Sequence, residues 1–334
     1  MSFPDNGAVG AALSHVVTHC FPKVSDPVVL VAPHGRGFWR DLAQVLRSRG
    51  IPVIQLAIDR MGVPPVACIP RPKGPGRLSV VRHGTFSTAL VIVGTPLGSA
   101  AHVSPVPRTD RGPTRRLARK GTATMSRALA ELEASGTPVA IWDWPVDLAP
   151  ARLRDLTSTV YLRALHTDYE ELRARNQKFA KWISAGSDLQ IRAPGGTAIS
   201  MVRGAEPIIQ EGCQFTPHDS VFQLPGGEVF FTPVARTAEG NIETWLRGRR
   251  TSISVHRGVG RFPPIDGLPA TAPLIEFGLG TNASAIALRS LSLGEKALGT
   301  CHFGFGDPPQ SSRGRGRLGF HFDVVVENPQ VSIA

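Results

Sequence analysis

The residues best suited to chemistry lie between 228 and 323. Glu228 sits in Leu224-Pro225-Gly226-Gly227-Glu228-Val229-Phe230, and Glu276 in Leu274-Ile275-Glu276-Phe277-Gly278-Leu279-Gly280-Thr281-Asn282. His302 sits in Gly299-Thr300-Cys301-His302-Phe303-Gly304-Phe305-Gly306. His321 and Asp323 sit in Gly319-Phe320-His321-Phe322-Asp323-Val324-Val325-Val326. Each lies in an apolar, glycine-flanked run rather than a charged surface stretch. An ionised carboxylate in such a place must be paired, hydrogen-bonded or metal-bound. Alternate residues of a strand share a face, so His321 and Asp323 project together. Two imidazoles and three carboxylates make a nitrogen/oxygen donor set. Zinc, manganese, cobalt and iron(II) accept that set, whereas calcium rarely uses His. The same residues admit a non-metal reading, with a local His–Asp hydrogen bond and Glu residues paired to an arginine such as Arg289.

Between His302 and His321 runs Ser311-Ser312-Arg313-Gly314-Arg315-Gly316-Arg317. Both flanks of this loop are candidate ligands, which tethers it near the metal centre. Arg313, Arg315 and Arg317 could there bind a substrate carboxylate or phosphate. Cys301, beside His302, points to the opposite strand face and reads as core. His218 and His256 have no partner at a telling spacing.

The elements that must position these residues fall into two halves. Apolar runs at 28–33, 51–58, 88–93 and 138–142 alternate with helical stretches at 38–49 and 124–134. That alternation argues an open, mostly parallel sheet in an α/β N-terminal domain, residues 1–185. Residues 148–183 read as one long helical segment, which Gly186 stops. Residues 186–334 then read as a β-rich α+β domain that binds metal, with glycine and proline at hairpin distances. Loops 34–37 and 94–98 follow predicted strands but match neither G-x-G-x-x-G nor a P-loop, so they read as ordinary turns.

Composition removes several function classes. Hydrophobic residues make up 42% of 334, enough for a real core. No apolar run reaches the roughly 18 residues of a membrane span, so no membrane partner is expected. Four cysteines without a C-x-x-C pair exclude a cysteine zinc module, and a disulfide scaffold does not fit their spread. The N-terminus shows no export signal, so a reduced, cytoplasmic setting is expected. The net charge of +11 resides wholly in residues 1–185, with 24 basic and 13 acidic residues against 13 of each afterwards. The densest basic patch, Arg108 to Lys120, has no interleaved aromatic residue for base stacking, so no nucleic-acid partner is expected. A non-catalytic basic binding protein is the competing class that this charge leaves open.

Taken in order, the blocks resemble the metal-binding domain of the M29 metallopeptidases, the aminopeptidase T family. The resemblance runs from Asp188 to Pro329. It takes in Gly186-x-Asp188-Leu189, the block ending at Glu228, Glu276-Phe277-Gly278-x-Gly280-Thr281-Asn282, and Glu295-Lys296-Ala297-Leu298-Gly299-Thr300. The His302 block, His321-x-Asp323 and Asn328-Pro329 complete it. The resemblance implies a co-catalytic site with two divalent ions (Zn, Co or Mn). Glu228, Glu276, His302, His321 and Asp323 would be the ligands, one carboxylate bridging, with Glu228 and Glu276 also assigned to catalysis. It implies a metal-dependent, aminopeptidase-like hydrolase, cleaving an N-terminal peptide or related amide bond by metal-activated water. A homodimer acting on a small-molecule or peptide substrate is implied as well.

One family feature is missing. Long members carry a catalytic Tyr seven residues after the His of the H-x-x-x-G block, where this chain has Pro309. Its two tyrosines, Tyr161 and Tyr169, fall in the long helical segment. The sequence is closer to a shorter branch with Phe305-Gly306-Asp307 after the His. That branch is similar to the 2,5-dihydroxypyridine dioxygenases, which use one iron(II). Such a site would take His302, His321 and Asp323. Retention of both Glu228 and Glu276 favours hydrolysis.

Overall fold

The computed structural model describes residues 6–21, 28–33, 37–58, 90–95, 139–143, 154–213, 221–246, 249–265, 268–287, 293–306 and 321–334. Structural statements concern these residues. They divide into two units: the first runs to His166 with Cys213–Leu224 added, and the second holds Thr167–Gly212 and Pro225–Ala334. Most strands pair antiparallel and helices are few. None of the helices is long and apolar enough to cross a membrane.

The first unit contains α1 (Asn6–Cys20), β1 (Val28–Pro33), α2 (Gly37–Ser48), β2 (Val53–Ile58), β3 (Leu90–Thr95), β4 (Val139–Asp143) and α3 (Arg154–Leu165). Its strands pair in parallel, in the order β2-β1-β3-β4, and Val221–Leu224 adds a fifth beyond β4. Helix α2 forms because Phe38, Trp39, Leu42, Ala43 and Leu46 recur at helical spacing and bury one face. The rings of Phe38 and Trp39 meet Trp142 of β4 edge-on, with centroids at 5.6 and 6.4 Å. The helix expected at 124–134 lies outside the described residues.

The second unit opens with α4 (Tyr169–Ile183). The helical segment expected to run unbroken from 148 to 183 is therefore two helices. The break has a local cause. Asp168 leaves the helical conformation at ψ 105°, and its carboxylate accepts the backbone N–H groups of Glu170 and Glu171 at 3.0 Å. This caps a new helix start, and Glu170 and Glu171 favour the same end of the helix dipole. Asp168→Ala is expected to destabilise the second unit by about 1 kcal/mol. Urea unfolding followed by circular dichroism reads that loss.

Strands β5 (Asp188–Arg192), β6 (Ala198–Val202) and β7 (Ile209–Glu211) follow, and then β8 (Val221–Leu224), which belongs to the parallel sheet. After it come β9 (Glu228–Phe231), β10 (Glu239–Leu246), β11 (Arg249–His256), β12 (Val259–Arg261) and β13 (Thr271–Gly280). The chain ends with α5 (Leu293–Lys296), β14 (Thr300–Gly306), β15 (His321–Glu327) and β16 (Gln330–Ile333). The sheet order is β15-β14-β13-β12-β11-β10-β6-β5-β16, all antiparallel, with β9 joining β13 and β7 joining β9. One face buries Val229, Phe231, Phe277, Leu279, Cys301, Phe303, Phe305, Phe322, Val324 and Val326 against Ala180 and Ile183 of α4. Helix α4 therefore groups with the strands that follow it. Burying each large side chain contributes roughly 1.5–3 kcal/mol. This apolar face fixes which residues of β9, β13, β14 and β15 point the other way.

Candidate metal centre

Strand alternation places the chemistry on the face opposite that core. In β14, Cys301, Phe303 and Phe305 face the core, leaving His302, Gly304 and Gly306 on the other side. In β15, Phe322, Val324 and Val326 face the core, leaving His321 and Asp323. In β9, Val229 and Phe231 do so, leaving Glu228. Strand β13 needs a correction of parity. Leu274 pairs Phe305 on the core face, yet Glu276 pairs Gly304 on the site face, because a bulge intervenes between Leu274 and Glu276. A bulge adds a residue and re-aims the side chain that follows. Without it, Glu276 would share the core face with Leu274.

Each donor is met across the ladder by a glycine. His302 faces Gly278, Glu276 and Asp323 both face Gly304, His321 faces Gly306, and Glu228 faces Gly280. The space is needed. A Cβ on Gly278 would lie 2.2 Å from His302 Cε1, and one on Gly304 would lie 2.7 Å from Glu276 Cβ and 2.8 Å from Asp323 Oδ1. Glycine here makes room for donor groups between strands.

The loop before Glu228 is tied to the end of β13. Thr281 N–H donates to Gly227 O at 2.8 Å, and the Asn282 amide donates to Gly226 O at 3.0 Å. Gly227 has φ 126°, and a Cβ there would meet Asn282 Cβ at 2.5 Å. From α4, the Arg175 guanidinium donates to Thr281 O at 2.7 Å. The Gly-x-Gly-Thr-Asn block thus acts as a splint between Glu228 and Glu276.

All five sequence candidates occupy this one face. One donor atom each from Glu276, His302 and Asp323 lie within 4.8 Å of one another. His302 Nε2 is 3.2 Å from Glu276 Oε1 and 3.7 Å from Glu228 Oε2. His321 Nε2 is 3.3 Å from Asp323 Oδ2. So Glu276, His302 and Asp323 form the tight group, Glu228 joins through His302, and His321 joins through Asp323. Cys301 is fully buried on the core face, and burial pushes its thiol up, which suits a core residue rather than a ligand. Arg313, Arg315, Arg317 and Pro309 lie outside the described residues. Tyr161 and Tyr169 lie on α3 and α4, so neither is on the strands that carry the donors.

Three further residues join this cluster: Glu211, and Glu295 and Lys296, which the sequence offers only as part of a matching block. Lys296 contacts Glu228 Oε1 directly and lies 2.9 Å from Glu211 and 3.3 Å from Glu295. Its side chain is only 4% exposed. A Glu-Lys pair inside Leu293-Gly294-Glu295-Lys296-Ala297-Leu298 was the available signal, since charges so placed must find buried partners.

Electrostatics follow from the crowding. Burial would push His302 down, but Glu276, Glu228 and Asp323 raise it to about 10. Burial pushes the Glu228 carboxyl well above the usual carboxylate range against the pull of Lys296. Burial also opposes the Lys296 ammonium, yet Glu211, Glu228 and Glu295 hold it well above its ordinary value. The linked cluster gathers the carboxyl groups of Glu211, Glu228, Glu276, Glu295 and Asp323 around the Lys296 ammonium and the His302 imidazole. Glu228 Oε2 is buried without a hydrogen-bond partner and faces His302. An imidazole, converging carboxylates and an unused carboxylate oxygen fit a divalent metal.

No family model matches the chain, and no curated protein matches it in sequence. Solved structures do resemble it. AmpT from Thermus thermophilus aligns at TM-score 0.62 and 16% identity, over 98% of this chain and 95% of that one. A 2,5-dihydroxypyridine dioxygenase from Pseudomonas putida aligns at TM-score 0.61 and 13% identity, over 99% and 94%. Likeness at this identity establishes a shared fold, and both neighbours sharing it are enzymes.

Proposed function

We propose that the chain is a metal-dependent hydrolase, aminopeptidase-like, cleaving an amino-terminal peptide or related amide bond. The observation that carries this is the single donor face, whose tight group combines one imidazole, His302, with two carboxylates, Glu276 and Asp323. Glu228, Glu276, His302, His321 and Asp323 would hold two ions of zinc, cobalt or manganese. Bound there, divalent metal would acidify a water and polarise the scissile carbonyl. Glu276, whose Oε1 lies 3.2 Å from His302 Nε2, would take up a proton during attack. His321 holds Asp323 in place. Arg313, Arg315 and Arg317 are proposed to contact the substrate, and the protein to act as a cytoplasmic homodimer.

A single-iron dioxygenase is the second reading, supported by the near-equal likeness to the dioxygenase structure. Its two-His, one-carboxylate triad would be His302, His321 and Asp323. The tight group takes Glu276 in place of His321, which favours the hydrolase. Metal analysis of the purified chain, with peptide hydrolysis and oxygen uptake measured in parallel, separates the two. About two zinc, cobalt or manganese ions per chain and release of amino-terminal residues are expected. One iron, with oxygen consumed on 2,5-dihydroxypyridine, would overturn the hydrolase.

A further inference from the structure

We propose that Lys296 is a built-in cation that reserves one oxygen of Glu228, so that Glu228 offers metal only Oε2 and does not bridge two ions. This rests on the metal-site reading above. Lys296 Nζ has three protons to donate and three carboxylate neighbours, Glu211, Glu228 and Glu295. Its position is set by backbone. Asn282 N–H donates to Lys296 O at 2.8 Å, Leu298 N–H to Asn282 O at 3.0 Å, and Thr300 Oγ1 to Gly294 O at 2.8 Å. Those bonds clamp the short helix that carries the lysine against the end of β13. Glu211 and Glu228 are directly opposed across the β7–β9 ladder, where two like charges repel unless a cation stands between them. Lys296 supplies that cation, and releasing Glu228 would leave buried charge uncompensated. The other oxygen, Oε2, has no hydrogen-bond partner and points at His302 Nε2, 3.7 Å away. The two oxygens of one carboxylate are thus already divided between a fixed ammonium and the open donor face. Any bridging carboxylate is then Glu276 or Asp323, the two in the tight group. Lys296 acts as a positioning residue, working through Glu228.

The test is the zinc-loaded full chain. Its crystal structure is expected to show Glu228 Oε1 on Lys296 and only Oε2 on zinc. In solution, the metal-loaded minus metal-free infrared spectrum reports carboxylate binding mode. In Lys296→Met the freed Oε1 can reach metal, so the splitting between carboxylate stretches should narrow, while Lys296→Arg should keep the wild-type splitting. Glu228 touching two zinc ions would overturn the proposal, as would a Lys296→Met spectrum identical to wild type. If Lys296→Met does not fold, the wild-type crystal structure still decides. Failure of the wild-type chain to bind zinc at all in a calorimetric titration would overturn the metal reading and this inference together.

Discussion

Asp323→Ala is expected to bind divalent metal roughly 100-fold more weakly than the wild-type chain while keeping its fold. Loss of even an outer hydrogen-bond partner of a ligand costs about 10–100-fold in metal affinity, and Asp323 is placed as a ligand itself. Its oxygen belongs to the tight group with Glu276 and His302, and its other contact orients His321. The fold should survive, because Asp323 points away from the apolar face that Phe322 and Val324 build on the same strand. His256→Ala is the matched control. That imidazole is exposed and paired 3.0 Å from Glu239 on another part of the sheet, so its loss should leave metal binding unchanged. Calorimetric titration of zinc into the metal-free chains measures both. Wild-type affinity retained in a folded Asp323→Ala chain would sink the site assignment. The pH dependence has a definite sign. A ligand imidazole must be neutral, and His302 without metal stays protonated up to about 10. Metal must displace that proton, so affinity should rise about tenfold per pH unit through neutrality and fall as acid is added.

The candidate donor residues were legible because each breaks its local pattern. A glutamate amid Leu-Ile and Phe-Gly, or a His-x-Asp in a valine strand, has no surface reason to be there. Short apolar runs likewise marked β1, β2, β3 and β4 to within two residues. What the sequence could not carry is pairing. Val221–Leu224 is a short strand like its neighbours, and nothing local says that it extends the parallel sheet beside β4. The break between α3 and α4 was written in Asp168-Tyr169-Glu170-Glu171, a capping signal masked by apolar spacing that continues on both sides. The bulge that turns Glu276 to the site face leaves no mark in its own strand, since parity is defined only against β14. Lys296 escaped for the same reason: its partners Glu211 and Glu228 are 85 and 68 positions away. The family resemblance implied the ligand set and took in Lys296 within a matching block, but gave that lysine no role.

Gly278→Ala is expected to weaken the fold and zinc binding together. The new Cβ would lie 2.2 Å from His302 Cε1, 2.4 Å from His302 Nε2 and 2.9 Å from Phe230 Cβ. Contacts that short cannot persist, so something must move. His302 has little freedom: it is 1% exposed, and its strand neighbours Cys301 and Phe303 are locked in the core. Strand β13 has no more, with Phe277 and Leu279 buried on either side of the glycine. Overpacking of this kind costs about 1–3 kcal/mol, and here the strain falls on the donor nitrogen itself. Stability and zinc affinity should therefore drop together, in urea unfolding and in titration. Gly195→Ala provides the contrast, since its nearest neighbour would be Glu243 Cβ at 3.9 Å, an ordinary contact, and both readouts should stay near wild type. A Gly278→Ala chain that binds zinc as tightly as wild type would mean that the imbalance of room between the strands does not hold His302 in position. The glycines opposite the donors would then be packing residues only. A coupled loss instead ties the glycine-rich composition of β13 and β14 to the chemistry of their shared face, because only residues without a side chain leave the imidazole and the carboxylates space to converge.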